Sequence, residues 1–502
     1  MSLQAAFLAD VAANPDDDAP RLICADWFED HGDPNRAAFI RTQCRLAKVG
    51  RYDRERYELE GEEAALLKGH GQRWRKPLAR ITSRVVFRRG FPDVLSLPAA
   101  KFVSHGEEAF AAAPTLREYR VLQPAAAWEA LLGCAALARV RSLDAGHHRL
   151  GLGRVQALAH SPQLAGLREL SLSSSAMRPA GVAALAASPY LANLRTLDLA
   201  SSHVGDAAAE RVAASPHWKQ LTSLDLSGND LTPAGIARLA RWEGAARLEH
   251  LALEENEGDD AARAFASGEW PALRRLKLAF HHATPAGIEA LGRCPSLAGV
   301  RDLDVPLWSR HLRALAEAPS LANLEALTVR GASDEGSLCA LAGSALLGSL
   351  RSLSLYSPDP DGLAVLLAEP AAAGLRRLSL SAAGGGNRVA AVAAATHLVN
   401  LDSLVLNLAR LGPEEARQLA SAPHLAGLVE LTLAGCHINE SAARALIASP
   451  HLNGCEPSTS AATSCKQTRW RRWPSGLARP WWRGEGVLLR ASSREAGEKR
   501  QG

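Results

Sequence analysis

No apolar stretch in this 502-residue chain approaches the roughly 20 residues that a helix needs to cross a bilayer. Nor does the N-terminus carry a basic flank and hydrophobic block, since an aspartate already stands at position 10. The expectation is a cytoplasmic protein with no secretion signal. Its eight cysteines, at 24, 44, 134, 294, 339, 436, 455 and 465, fall at no repeating offset. Free thiols in a reducing compartment are therefore expected. A surplus of one charge is lacking too: 57 Lys and Arg face 53 Asp and Glu. That balance argues against the basic stripe of a dedicated nucleic-acid binder.

Catalytic spacings are also missing. There is no Gly-x-Ser-x-Gly elbow and no His-Glu-x-x-His, and Gly384-Gly385-Gly386 lacks the Lys-Ser/Thr of a phosphate-cradling loop. Two pairs, His147-His148 and His281-His282, lie too far apart to share a metal and read as solvated turn histidines. The acidic run Asp16, Asp17, Asp18, Asp26, Glu29, Asp30 and Asp33 lacks the ligand alternation of a calcium loop. Asp18 and Asp33 read as helix caps instead. No catalytic group, cofactor or metal is expected.

What the chain has is one phrase written many times. Apolar residues close it at 172, 199, 226, 253, 278, 305, 329, 355, 380, 406 and 433, at gaps of 24 to 27 residues. A period this steady means one supersecondary unit stacked repeatedly. In the copy Leu221-Thr-Ser-Leu224-Asp-Leu226-Ser-Gly-Asn229, polar and apolar residues alternate as in a strand with one buried face. Gly228, Asn229, Asp230 and Pro233 then supply turn chemistry. Ile236 and Leu239 follow at helical spacing, with Thr232 as N-cap and Pro233 at the first helical position. Strands and helices alternating at this length make every strand parallel. Helices are wider than strands, so the α/β stack should curve into a horseshoe with the sheet on its concave face.

Leu167-Arg-Glu-Leu170-Ser-Leu172, Leu194-Arg-Thr-Leu197-Asp-Leu199, Leu248-Glu-His-Leu251-Ala-Leu253 and Leu428-Val-Glu-Leu431-Thr-Leu433 repeat the phrase. Degenerate copies stand at 140–145 and 116–121, and Asp93 to Leu97 is a candidate first rung. The phrase resembles the leucine-rich repeat, in the longer helix-bearing form of ribonuclease-inhibitor-like proteins. That family usually places Asn or Cys at the ninth position, where the side chain bonds backbone groups of the turn. Here Asn229, Asn256 and Cys436 fit, whereas Ser175, Ser202, His281, Trp308, Ala332 and Ala383 do not. The polar ladder is expected to be mostly missing, with water or neighbouring amides serving those turns.

Residues 1–47 leave the period. Helical patterns over Ser2 to Ala13, from Asp18 past Phe28, and from Asp33 to Leu46 form an all-helical unit too short to bury a large core alone. It should dock on the first rung and hide its open edge. The run from Asp16 to Arg41, with Ala25-Asp-Trp-Phe-Glu-Asp-His-Gly-Asp-Pro34 at its centre, resembles the bacterial repeat-companion domain. That resemblance implies company with repeats and no reaction. Residues 48–83 read as a charged helical connector and 84–454 as the solenoid.

After residue 454 the phrase fails. Residues 455–502 carry ten Lys/Arg against four Asp/Glu, and four of the eleven tryptophans. A shifted reading frame, a disordered tail and a basic aromatic segment for nucleic acid or membrane surface all fit this composition.

Third, fifth and seventh positions of each phrase should project from the concave sheet. There the candidate contacts for a protein partner are Glu169, Asp198, Asp225, Glu254, Arg275, Lys277, Asp302, Asp304, Arg330, Tyr356 and Arg377. Trp308 stands beside them as a second aromatic anchor. The leading expectation is a non-enzymatic protein-interaction scaffold without a small-molecule substrate. The alternative is a nucleic-acid or membrane-surface binder acting through the tail.

Overall fold

Each leucine phrase becomes a strand because its alternate leucines can be buried together with those of the next copy. In a computed structural model the described residues are 3–281, 284–307, 309–329, 331–382, 386–408, 411–434, 436, 438–452, 455–457 and 486–491. Two compact units result: Met1–Glu257 with Ser267–Leu273, and Gly258–Ala266 with Arg274–Gly502.

The first unit begins with four helices, α1 (Leu3–Ala13), α2 (Ala19–Asp30), α3 (Pro34–Leu46) and α4 (Arg54–Arg75). An antiparallel hairpin follows, β1 (Val85–Arg88) and β2 (Phe91–Pro98). From β2 onward the strands are parallel: β3 (Glu118–Leu122), β4 (Ser142–Asp144), β5 (Glu169–Ser171), β6 (Thr196–Asp198), β7 (Ser223–Asp225) and β8 (His250–Glu257). Leu143, Leu170, Leu197, Leu224 and Leu251 are direct partners across successive strands, and all are buried. Helices of the repeats lie on the other side, as Pro233–Ala240 shows: Ile236 and Leu239 are buried, and the Thr232 hydroxyl accepts from the Ala234 amide at 3.2 Å.

Helix packing is tied from rung to rung by serines of the Ser-Pro phrases. Ser161 Oγ donates to the Leu132 carbonyl and Ser215 Oγ to that of Ala186, each at 2.7 Å. Ser188 bonds Ala159 in the same way. Each hydroxyl satisfies a carbonyl at the end of the helix one repeat earlier, where no intrahelical donor remains.

The polar ladder continues through Ser202, one of the positions where the sequence suggested a gap, whereas the buried Ser175 Oγ has no hydrogen-bond partner. Ser202 Oγ donates to the Leu172 carbonyl at 3.1 Å and accepts from Ser175 N at 3.4 Å. Asn229 continues the ladder, with Oδ1 accepting from Ser202 N at 2.9 Å. A buried hydroxyl both donates and accepts, so serine fills the place of the amide. Cys436 Sγ reaches the Leu406 carbonyl at 3.1 Å in the second unit.

Asp18 is likewise not a cap. Its side chain makes no capping bond, and the Ala19 amide is taken by Asp17 Oδ1 at 2.9 Å. Asp18 is buried and faces Lys48 Nζ at 3.0 Å and Arg89 Nη1 at 3.2 Å. Burial alone would raise its pKa, but the Lys48 hydrogen bond and the Arg89 and Lys48 charges outweigh that and hold it below the usual carboxylate value. Asp33 does cap α3, accepting from Arg36 N at 3.2 Å.

The helical head and the hairpin share one core. Val11, Cys24, Ala25, Ala37, Ile40 and Cys44 pack with Phe91 of β2. Burial pushes the Cys24 and Cys44 thiols up to about 11 and about 12, so neither is a thiolate at neutral pH. Nearby, Arg36 is buried with its guanidinium 4.9 Å from the Trp74 ring and 5.4 Å from those of Phe87 and Phe91. Desolvation lowers its pKa to about 10, and Nη1 lacks a hydrogen-bond partner. The rings supply the cation with its main compensation. Arg36→Met keeps the volume and should change unfolding stability by less than about 1 kcal/mol, whereas Arg36→Ala should cost about 2 kcal/mol in urea denaturation.

In the second unit, β9 (Arg275–His281), β10 (Asp302–Leu307), β11 (Ala326–Val329), β12 (Ser352–Tyr356), β13 (Arg377–Ala382), β14 (Ser403–Leu408) and β15 (Glu430–Ala434) pair in parallel. Ser449 Oγ bonds the Ala420 carbonyl, repeating the helix tie of the first unit. Two strands follow the break in the phrase, β16 (Cys455–Pro457) and β17 (Gly486–Ala491), with β17 antiparallel to both β15 and β16. Expectations for the remainder of residues 455–502 lie outside the described residues.

Candidate protein interface

Strand alternation decides which side chains can meet a partner. In β5 to β7 the central leucine points inward, leaving the flanking positions on the open face of the sheet. Register then builds two columns in the first unit. One runs Ser142, Glu169, Thr196, Ser223, His250. The other runs Ser96, Arg120, Asp144, Ser171, Asp198, Asp225, Ala252.

Glu169 is exposed, and Asp198, Asp225 and Glu254 are half-buried. The aspartates do more than decorate the face. Asp144 Oδ1 accepts from Gly146 N at 3.1 Å, Asp198 Oδ1 from Ala200 N at 3.0 Å, and Asp225 Oδ1 from Ser227 N at 2.9 Å. Each carboxylate therefore closes the turn that follows its own strand. Ser171 Oγ also donates to Asp198 Oδ2 at 2.6 Å. Burial raises the Asp198 pKa, opposed by the Ser171 and Ala200 bonds and reinforced by the like charges of Asp225 and Asp144. Asp144 belongs to this column although its degenerate phrase hides it; counting back one period from Ser171 would have found it.

The second unit mixes signs. Arg275 and Asp302 are register partners joined by an ion pair, Nε to Oδ2 at 3.2 Å. Lys277 stands opposite Asp304 in the same pairing, the Asp304 side chain lying outside the described residues. Tyr356 ends β12 and is 57% exposed. Arg377 opens β13 between Ser352 and Ser403, half-buried. Arg330 and Trp308 lie outside the described residues.

The acidic cluster of the head is dispersed into ion pairs. Asp26 and Glu29 both bind Arg41 at 2.6 Å, and Asp33 faces Arg73 at 3.3 Å. Among the described residues no group of three or more His, Cys, Asp or Glu is placed to hold a metal ion, and no helix is long and apolar enough to cross a membrane. Cys24, Cys44, Cys134, Cys294, Cys339 and Cys436 are free. His148 is half-buried with Nε2 2.8 Å from the Val121 carbonyl, a bonded turn residue and not a solvated one.

A family profile described as leucine-rich repeat matches residues 190–213 and 220–240. No curated protein sequence matches the chain. Among solved structures, the chain resembles one from the yeast Rad7 and Elc1 complex, at 14% identity and TM-score 0.43, over 80% of this chain and 92% of that one. It also resembles a chain of the TLR13–ssRNA13 complex, at 15% identity and TM-score 0.36, over 64% of this chain and 50% of that one. An internalin, inlF of Listeria monocytogenes, is similar at 16% identity and TM-score 0.34, over 57% of this chain and 79% of that one. The matched phrases, their parallel register and the helix that follows each strand together make this a leucine-rich-repeat fold.

Proposed function

We propose that the protein is a non-enzymatic interaction scaffold that binds a protein partner through the open face of its repeat sheet. The reading is supported above all by the in-register columns of half-exposed polar and charged side chains, which alternate with buried leucines. In the first unit the contacts would be Glu169, Asp198, Asp225 and Glu254, which suit a basic surface. In the second they would be Arg275, Lys277, Asp302, Asp304, Arg330 and Arg377, with Tyr356 as the aromatic anchor. The repeats would be of the ribonuclease-inhibitor-like type and the head a repeat-companion unit. The free cysteines suit a reducing cytoplasm.

Charge reversal would be a poor test, because Asp198 and Asp225 also hold their turns. Asparagine keeps the oxygen that closes each turn and removes the charge, and at Asp198 it exchanges the acceptor of the Ser171 hydroxyl for an amide that the same hydroxyl can accept from. The double variant Asp198→Asn, Asp225→Asn should weaken capture of a defined partner about tenfold in surface plasmon resonance. It should leave thermal stability unchanged or slightly raised at pH 7, because a carboxyl whose folded pKa is raised loses stability as pH climbs through that value. Retained affinity would move the interface away from this column. A fall in stability would mean that the carboxylate charge, not the turn bond, holds the loops.

A further inference from the structure

A cleft of about 570 Å³ lies between the end of α4, the segment entering β1, and the first parallel strands. Three arginines line it, and they come from three different elements: Arg75 from α4, Arg84 from the segment before β1, and Arg120 from β3. The Arg75 guanidinium carbon lies 5.6 Å from the Phe87 ring centroid, which positions the group without neutralising it. Neither it nor Arg84 has an ion pair among the described residues. Arg120 donates to Glu118 at 2.6 Å, but Arg88 claims the same carboxylate at 2.8 Å. Asp144 is the one carboxylate among the lining residues, and its Oδ1 is engaged by the Gly146 amide.

Positive charge thus exceeds negative in a recess that also has an apolar wall, where Val86 is 43% exposed. Like charges gathered from separate elements repel one another unless an anion joins them. A single carboxylate would balance only one. The guanidinium fork matches phosphoryl oxygens, several of which can be held at once. The volume falls within the range of small-molecule sites, roughly 300–1,000 Å³.

We propose that this cleft binds a small soluble organic phosphate, its phosphoryl group held by Arg75, Arg84 and Arg120 and its organic part resting on Val86. The site is one of binding, without a reaction, and it does not depend on the partner-binding reading of the sheet face.

Calorimetric titration of the full chain with inorganic pyrophosphate tests the assignment. Saturable one-to-one binding is expected, weakened about tenfold or more by Arg84→Gln and by Arg120→Gln. Arg211→Gln, on the exposed surface of the helix Gly205–Ala214, should bind as the unaltered chain does. Melting temperatures of the three variants verify folding, and Arg84 is exposed enough to substitute without cost to the core. Absent binding, or equal weakening in all three variants, would overturn the proposal. So would a preference for a hexaglutamate peptide, or for phosphatidylcholine vesicles containing phosphatidic acid, over pyrophosphate.

Discussion

Gly90→Ala is expected to destabilise the first unit by about 4 kcal/mol, the sum of a strained backbone and a blocked contact. β1 and β2 are joined by two residues, with Arg88 opposite Phe91. Arg89 and Gly90 have φ of +47° and +89°, so both central residues are left-handed, as a tight hairpin turn requires. A methyl at Gly90 would stand 2.5 Å from Ile40 Cγ1 and 2.7 Å from Ile40 Cα, against the backbone of α3. No side-chain rotation relieves an overlap with backbone. The turn is also pinned: Gly90 N donates to Gln43 Oε1 at 2.6 Å, and Gln43 Nε2 donates to the Phe87 carbonyl at 3.2 Å. Gly32 provides the control. Its φ is +82°, yet nothing lies within 4 Å of an added methyl. Gly32→Ala should therefore cost only about 1 kcal/mol, the strain alone. Urea denaturation of both variants separates the two effects, and hydrogen exchange along α3 should accelerate only in Gly90→Ala. Similar losses in both would show that α3 yields and that the head is loosely seated.

The elements that were legible in the sequence are those whose cause is local and repeated. Strand positions followed from the leucine spacing, and the register of Leu170, Leu197 and Leu224 is the one that a constant period imposes. Thr232 capped its helix as its neighbours implied. Where a residue's role is set by a distant partner, the pattern misled. Asp18 looked like a cap because a helix starts beside it, but its partner Arg89 lies 71 positions away. The β1–β2 turn carries Arg89-Gly90 in place of the Asn-Gly or Asp-Gly that marks such hairpins, and it has no repeated copy to reveal it. Arg75, Arg84 and Arg120 meet only in the folded chain. The candidate interface was legible as a face, since alternation sets which side chains point outward. That its aspartates also close turns could not be read from spacing.

Serine at the ninth repeat position had suggested a missing ladder, and the bonds of Asn229 show what depends on it. Asn229 is fully buried. Its Nδ2 donates to the carbonyls of Leu199 at 2.8 Å, Leu226 at 3.1 Å and Ser227 at 3.3 Å. Its Oδ1 accepts from the amides of Ser202 at 2.9 Å and Val204 at 3.4 Å. One amide thus joins two consecutive turns, and removing it strands backbone groups where water cannot replace the partner without opening the rung. Asn229→Ala should therefore cost about 3 kcal/mol. Asn229→Ser should cost about half as much, because the Ser202 hydroxyl already bonds the Leu172 and Ala200 carbonyls from the equivalent place one rung earlier. Asn229→Asp keeps the acceptor, loses both donors and buries a charge beside three carbonyl oxygens, so it should be the worst of the three. The order Asp, Ala, Ser, from most to least destabilising, is the outcome to check by urea unfolding of the full chain. A loss below about 1 kcal/mol for alanine would mean that solvent enters the turn readily. The ladder would then be a consequence of packing in the repeats, not one of the forces that hold successive rungs in register.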